Sequence, residues 1–512
     1  MAPSGDHGTV ASALFYNISM KLAHLKHKSV LILGLGVEGR STWRYLRAAF
    51  PEQLLGVADR LPMERLSPEF LQEVERDSRL RLHLGEDYLS CLDDYDVIVK
   101  SPGLSVTIPA YRQSLAAGQQ ITSQTALFFA NFAGTINGIT GTKGKSTTAS
   151  LLYAILKSSF PNTYLIGNIG VPALDVLPLT NAETKIVYEL SSHQLEGLRQ
   201  SPHVAVLLNI VPEHLDYYEN FEQYVAAKEN ITRFQTPADF LIYDSDHDLP
   251  TQIASRSRAQ GIACSLQQSR KPGCFLSGDA LIYSPPLGQA ETVAAVQDVR
   301  LPGRFNLINV AAAAAAGRLA GVPAAEIAEA VRNFQPLEHR LEYVGTYADI
   351  AYYNDSIATV PEAVIAALDT LGQDVETILL GGADRGLDFS ELAKRLIRHK
   401  IKTVILFPPS GERIRRALDE LMEMAPGAPS AGKKAPVGHP HPKQFFAGGM
   451  EEAVDLARQH TGNGKICLLS PASPSFGLFR DYRDRGEEFK RLVRNSGGKN
   501  IRRSAAVGER PA

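Results

Sequence analysis

The sequence predicts an α/β protein of three domains, each built on a mainly parallel sheet, and three observations predict it. Apolar strand-like runs alternate with helix-like segments along the chain. A glycine–lysine–hydroxyl loop, Gly141-Thr142-Lys143-Gly144-Lys145-Ser146-Thr147, sits between one such strand and one such helix. Polar motifs follow the strand ends in every block. Strand–helix alternation argues parallel sheets whose ligands lie beyond the strands' carboxyl ends.

The first block runs over residues 1–121. Val30 to Leu33 reads as a strand entering Gly34-Leu35-Gly36-Val37-Glu38-Gly39, and Ser41 to Leu46 as the following helix. Strands over Leu54–Ala58 and Asp96–Val99 end at Asp59 and Ser101-Pro102-Gly103. Many GxGxxG turns only permit close packing. Here the strand before it, and an acid at Asp59 where a ribose hydroxyl would be met, point to a nucleotide-type ligand and a Rossmann-like sheet.

The second block, 122–336, carries the phosphate loop. Thr135 to Ile139 reads as a buried strand, and Leu151, Leu152, Ile155 and Leu156 keep helical spacing after the loop. Glycines let backbone N–H groups wrap a polyphosphate, with the helix N-terminus adding its positive dipole end. Lys145 then reaches the β/γ-phosphates and Ser146 a divalent metal. The loop is shorter than the strict GxxxxGK[ST] pattern, whose first glycine would fall at Ile139. A glycine turn with an exposed lysine explains neither the strand–loop–helix setting nor the paired hydroxyls. The expected sheet is of the P-loop ATPase type, with further strands at Lys185–Tyr188 and Val204–Leu208.

The third block, 337–495, shows strands at Thr377–Leu380, Thr403–Phe407 and Ile466–Leu469 and reads as a second Rossmann-like unit. Ala425–Pro442, rich in Pro, Gly, Ala and Lys, reads as a mobile loop, and 496–512 as a disordered tail.

Composition excludes several classes. The formal net charge of −2 over 512 residues gives no general pull toward nucleic acid or anionic membrane. No apolar run approaches the ~18 residues of a membrane span. Met1–Gly8 lacks the apolar core of a secretory leader. Cys91, Cys264, Cys274 and Cys467 stand singly, as suits a reduced cytoplasm. Small-molecule substrates and a monomer are expected, with no nucleic acid and no membrane insertion.

Read in order, the strand-end motifs are GTKGKSTT from Gly141, GNIG from Gly167, YELSSHQLE from Tyr188 and NIVPEHLDYY from Asn209. AAKENI from Ala226, LPGRFNLINVAAA from Leu301, EHRLE from Glu338 and NDSIAT from Asn354 follow. GGADRGLDF from Gly381 and LLSPASPSFGLFRDYRDRGEEF from Leu468 complete the series. Together they resemble the Mur ligase family of ATP-dependent amide-forming enzymes, from Gly34 to about Phe489. Within it the resemblance is greatest to the branch that adds D-glutamate to UDP-N-acetylmuramoyl-L-alanine through an acyl phosphate. A related subgroup that adds L-glutamate shares the GTKGKST, Asp-Arg-Gly-Leu-Asp and Pro-Ser-Phe-Gly segments and is the alternative.

The resemblance implies a set of roles. ATP is held by the 141–147 loop, with Asn306 and Asn309 on the adenine side and Arg340 and Asp355 on the phosphates and ribose. One or two Mg²⁺ ions, or Mn²⁺, are expected near Ser146, Glu189, His214 and a carbamylated Lys228. Lys145, His214, Lys228 and Arg340 form the catalytic set. Alone, a helical lysine such as Lys228 is usually a solvated charge; carbamylation requires a neutral amine, hence a lowered pKa. UDP is expected at Gly36, Val37, Asp59 and Arg60, with Ser101 and Asn168 toward the diphosphate and sugar, and Ser191 and Gln194 at the muramoyl-alanine end. Glutamate, with two carboxylates, is expected at Arg385, Thr359, Ser475, the Phe476 backbone and Tyr482.

Four positions depart from the family pattern: Phe305 replaces a histidine, Ile357 a lysine in NDSKAT, Arg385 a further lysine and Tyr482 a phenylalanine. The DNPR motif of diaminopimelate-adding relatives is absent. A competing reading from another class, an NAD-dependent oxidoreductase using the first block, leaves the phosphate loop, Glu189 and His214 without purpose.

Overall fold

A computed structural model describes residues 20–66, 68–104, 108–214, 217–301, 303–335, 338–423 and 442–496. The stretch 425–441 and the tail beyond Ser496, on which the sequence makes its loop and disorder expectations, lie outside the described residues. Among the described residues, twenty strands form three sheets.

The first sheet comprises β1 (Val30–Leu33), β2 (Leu55–Asp59), β3 (Leu80–Leu84), β4 (Val97–Lys100) and β5 (Gln120–Ser123), in the order β3-β2-β1-β4-β5. All its pairs are parallel. β1 and β4 are buried along their whole length, which is why they read as continuous apolar runs. The chain reverses direction across the sheet between β1 and β4, and a crevice opens there beyond the strand ends.

The second sheet holds β6 (Thr135–Thr140), β7 (Thr163–Gly167), β8 (Lys185–Glu189), β9 (Val204–Leu207), β10 (Phe240–Asp244), β11 (Gln260–Ser265), β12 (Gly273–Ser277), β13 (Ala280–Ser284) and β14 (Glu291–Ala295). Its order is β14-β13-β12-β11-β10-β9-β6-β8-β7, so the strand feeding the phosphate loop lies between β8 and β9. The polar segments after β6, β8 and β9 are thereby side by side. The last three strands form an antiparallel edge.

The third sheet holds β15 (Glu342–Tyr347), β16 (Ile350–Asn354), β17 (Val375–Gly381), β18 (Thr403–Phe407), β19 (Lys443–Phe446) and β20 (Ile466–Leu469), ordered β15-β16-β20-β17-β18-β19. Only β15 runs antiparallel to its neighbour. Its core lies on both faces, one around Leu380, Leu406 and Leu468, the other around Leu379, Phe407 and Leu469.

The chain separates into two compact units. One holds the chain to Arg300 with Phe305–Phe334, and so the first two sheets; the other holds Leu301–Arg304 and the chain from Gln335. Within the first unit a single apolar core joins the sheets, running from Val30 and Trp43 through Phe128 and Tyr188 to Leu207 and Tyr224. Among the described residues no helix is long and apolar enough to cross a membrane.

Candidate active site

After β6 the backbone turns through Gly144, at φ 87°, into the helix Lys145–Ser159. A Cβ on Gly144 would strike the Asn309 side-chain oxygen. Glycine here is what lets the helix Asn306–Leu319 approach the loop. Asn309 Nδ2 donates to Asn306 Oδ1 at 2.8 Å, so both predicted adenine-side amides stand together against the phosphate loop.

The segment after β9 fixes the loop's shape. Asn209 accepts from Thr142 N through its carbonyl (2.7 Å) and from Lys143 N through Oδ1 (3.1 Å). Thr142 Oγ1 accepts from Val211 N at 3.0 Å and meets the Tyr224 hydroxyl at 2.9 Å. Lys143 is paired with Glu213 at 2.7 Å. Lys145 Nζ curls back to the carbonyls of Gly141 and Thr142, both at 3.0 Å. Thr147 is buried in the first turn of the helix.

Facing the loop, Glu189 closes β8 with no exposed surface. Its Oε1 accepts from Ser146 Oγ (3.2 Å) and Asn168 Nδ2 (3.1 Å). Its Oε2 is buried without a hydrogen-bond partner among the described residues. A carboxylate oxygen in that state is costly unless something cationic meets it.

Lys228 lies beside it, 1% exposed, donating to the Gly141 carbonyl at 2.8 Å and sitting 4.7 Å from the Tyr224 ring centroid. Burial first, then the Lys145 ammonium, pushes its basicity well below the ordinary lysine range; Glu213 and Glu189 oppose the shift. A lysine held toward its neutral form is the nucleophile that carbamylation requires. His214, at φ 58°, places its ring 4.8 Å from that of His193. Glu189 and Ser146 together offer the hard oxygens that a Mg²⁺ ion takes.

A second feature lies at the carboxyl edge of the first sheet. Gly36, Val37, Asp59, Arg60 and Ser101 line one cavity of about 390 Å³, together with Glu38 and Tyr88. Asp59 is largely occupied in building it. Its Oδ2 accepts from Leu35 N (2.5 Å) and its Oδ1 from Leu61 N (2.8 Å), tying the ends of β1 and β2 together. Asn168 is on Glu189, as above. Ser191 and Gln194 form a helix capping box, and Gln194 Nε2 donates to Glu38 Oε1 at 2.6 Å. Both ends of the Gln194 amide are thus taken, and it reaches the cavity through Glu38. Burial raises the Glu38 carboxyl to about 6, against the Gln194 hydrogen bond and the Lys100 charge.

The other unit builds its own polar edge. Arg340 lies between His339 and Leu341, which both adopt left-handed backbone (φ 64° and 44°), a strain that tertiary contacts must hold in place. Arg340 Nε is buried without a hydrogen-bond partner among the described residues. Asp355 accepts from Leu341 N (3.1 Å) and from Ser470 Oγ (2.7 Å), linking that segment to the end of β20. His339 is buried, with Asn354 Nδ2 2.9 Å from its Nδ1 and the Tyr482 ring edge-on at 5.9 Å. Ser475 is buried, Thr359 half-buried, and Phe476 58% exposed. Arg385 is exposed, while its neighbour Asp384 is taken by Gly386 N and Arg413.

Comparison with known proteins gives these edges a family. The Mur ligase MurD-like N-terminal domain matches residues 28–123, the Mur ligase middle domain 139–317, and the Mur ligase glutamate ligase domain 339–473. A protein named UDP-N-acetylmuramoylalanine–D-glutamate ligase from Symbiobacterium thermophilum is 34% identical over 464 residues, covering 90% of this chain and 97% of its own. One of the same name from Koribacter versatilis is 34% identical over 473 residues, 92% of this chain and 98% of its own. The chain belongs to the Mur ligase family.

Solved Mur ligases share its architecture. The UDP-N-acetylmuramate-alanine ligase MurC of Thermotoga maritima aligns with TM-score 0.55 at 16% identity, over 92% of this chain and all of that one (100%). The MurF ligase of the same organism, solved with ADP, aligns at TM-score 0.52 and 17% identity, over 91% of this chain and 94% of that one.

Some residues of this Mur ligase's edges carry no role in the sequence reading. Glu213 anchors Lys143, and Tyr224 holds Thr142. Arg485 has no exposed surface. It donates to Ser356 Oγ (3.0 Å), the Ser356 carbonyl (2.8 Å) and the Ser473 carbonyl (3.1 Å), with burial drawing it down to about 9. A run of alternating charges masks it. The usable signal is its four-residue spacing from Phe489 and Val493, both fully buried on the same helix.

Proposed function

We propose that this Mur ligase uses ATP to join D-glutamate to the alanyl carboxylate of UDP-N-acetylmuramoyl-L-alanine. ADP and phosphate are released, and the reaction is a step of peptidoglycan precursor synthesis in the cytoplasm, carried out by a monomer. The observation that carries the reading is the buried, unpartnered Glu189 oxygen facing Ser146 and the phosphate loop. The names of relatives aligning over nearly the full chain favour the D enantiomer.

A carboxylate is a poor electrophile. Phosphorylation converts its oxygen into a leaving group; the glutamate amine attacks the carbonyl carbon, loses a proton, and phosphate departs as the amide forms. In this chain the backbone of Gly141–Thr147 and Lys145 hold the polyphosphate, with Asn306 and Asn309 on the adenine and Asp355 on the ribose. Ser146, Glu189, His214 and Lys228, the last as its carbamate, would hold one or two divalent ions. Mg²⁺, when bound, neutralises charge on the transferring phosphoryl group. Arg340, whose Nε lacks an acceptor among the described residues, supplies a fixed positive charge for the ATP phosphates. The cavity of the first sheet takes the uridine nucleotide. Arg385 binds a glutamate carboxylate bidentately, aided by Thr359, Ser475 and the Phe476 N–H, with Tyr482 as pocket wall.

The L-glutamate alternative rests on Asp384-Arg385-Gly386-Leu387-Asp388 and Pro474-Ser475-Phe476-Gly477. The purified chain with ATP, Mg²⁺ and UDP-N-acetylmuramoyl-L-alanine is supplied separately with D- and L-glutamate, reading phosphate release and product mass. Product with D-glutamate is expected. Product with L-glutamate alone selects the alternative, and phosphate at the blank level with both rejects the assignment.

A further inference from the structure

The cavity of the first sheet spans the carboxyl ends of four strands, and its chemistry is uneven. On the β1 and β4 side it is lined by Gly36, at the N-terminus of the helix Val37–Ala49, and by Ser101-Pro102-Gly103. Backbone N–H groups at a helix start are where a diphosphate belongs. The far side, beyond β2 and β3, therefore receives the nucleoside. There the wall consists of Asp59, Arg60 and Tyr88. Both Asp59 oxygens already accept backbone N–H groups, and Arg60 is exposed at the rim.

We propose that Tyr88 is the base-reading residue of this site, its ring packing on the face of the pyrimidine. Three observations support it. Among the described residues, Tyr88 is the only aromatic side chain lining the cavity. It sits in a short turn after β3, where Tyr88 N donates to the Gly85 carbonyl and Cys91 Sγ to the Tyr88 carbonyl, so the ring's backbone is held from both sides. Val37, 74% exposed, supplies an apolar surface on the β1 side of the same cavity, leaving a planar ligand two apolar walls. Burial and the Asp59 carboxylate keep the Tyr88 phenol protonated, so the stacking ring carries no charge. Tyr88 carries no sequence signal, because it lies in neither the glycine turn nor the acid that follows it.

The inference rests on reading the first sheet as the uridine-nucleotide site, and the test separates the two. Uridine diphosphate and, separately, adenosine diphosphate are titrated calorimetrically into the full chain and into its Tyr88→Ala and Tyr88→Phe variants. Loss of one base-stacking ring should weaken uridine diphosphate about ten-fold in Tyr88→Ala. Tyr88→Phe, which keeps the ring, should stay within about three-fold of the parent. Adenosine diphosphate affinity, a readout of the distant phosphate loop, should be unchanged in both variants. Equal uridine diphosphate affinity in the parent and Tyr88→Ala overturns the role of Tyr88 alone. An equal drop for both nucleotides, or a variant melting well below the parent, makes Tyr88 structural and also overturns it. A parent chain that binds adenosine but not uridine diphosphate overturns the site reading itself.

Discussion

Ser146 Oγ donates to Glu189 Oε1 across 3.2 Å, while the other oxygen of the same carboxylate is buried with no hydrogen-bond partner among the described residues. A buried carboxylate oxygen in that state destabilises the fold until a cation meets it. Glu189→Gln should therefore abolish turnover, by two orders of magnitude or more, yet melt no lower than the parent in metal-free buffer, because the unmet anion costs about 1–3 kcal/mol. Adding Mg²⁺ with a nucleotide should raise the parent's melting temperature and leave the variant's unchanged. Thermal unfolding with and without metal reads both effects.

Lys228 gives a second prediction. Lys228→Ala should lose most activity. Bicarbonate should not restore it, since no amine remains to carbamylate, whereas short carboxylic acids should restore it in part by occupying the vacated space. Steady-state phosphate release across added acids checks this; unaltered turnover in the variant removes Lys228 from the mechanism.

Arg485 joins the segment after β16 to the segment after β20 through Ser356 and Ser473. Arg485→Met leaves these acceptors unpaired, at a cost of about 1–3 kcal/mol each. The segments carrying Thr359 and Ser475 should then loosen, raising KM for glutamate at least about ten-fold while KM for the uridine substrate stays within about two-fold. Kinetics with each substrate varied in turn distinguish this from general unfolding.

Glu38 predicts a pH signature. Its folded value, about 6, lies above the unfolded 4.5, so the fold favours the neutral carboxyl. The stabilisation is complete below pH 4.5 and lost as pH rises through about 6. Glu38→Gln removes that dependence and keeps an oxygen for Gln194. The variant-minus-parent stability should grow by up to about 2 kcal/mol between pH 4.5 and 6, then level off. Denaturant melts at three pH values test it.

The phosphate loop, the strands feeding it and the order of the three sheets are legible in the sequence because fully buried parallel strands read as uninterrupted apolar runs. The predicted strand Thr135–Ile139 is extended by one residue to Thr140, and Val204–Leu208 ends one earlier, at Leu207. Edge strands escape for the complementary reason. β3 is nowhere fully buried, and β19 mixes exposed with half-buried positions, so neither has an apolar signature. At the sites, chemistry is legible where it is concentrated in glycine and lysine. It is hidden where it depends on long-range hydrogen bonds, as between Gln194 and Glu38, which are 156 residues apart. The left-handed backbone at Leu341 has no sequence signal, and histidine, although enriched in that region, adopts it too rarely for His214 and His339 to be singled out from sequence.

The helix Tyr482–Ser496 carries Arg485, which ties two strand ends together, and Gly486, where a Cβ would strike the His339 ring. Every strand of the third sheet precedes it in the chain. A ribosome that has released β20 but not yet this helix holds a nascent protein with its sheets drawn and its second polar rim unlaced. Competence therefore waits on residues 482–496, and their removal should cost the third sheet both the core packing of Phe489 and Val493 and the lacing of its polar rim.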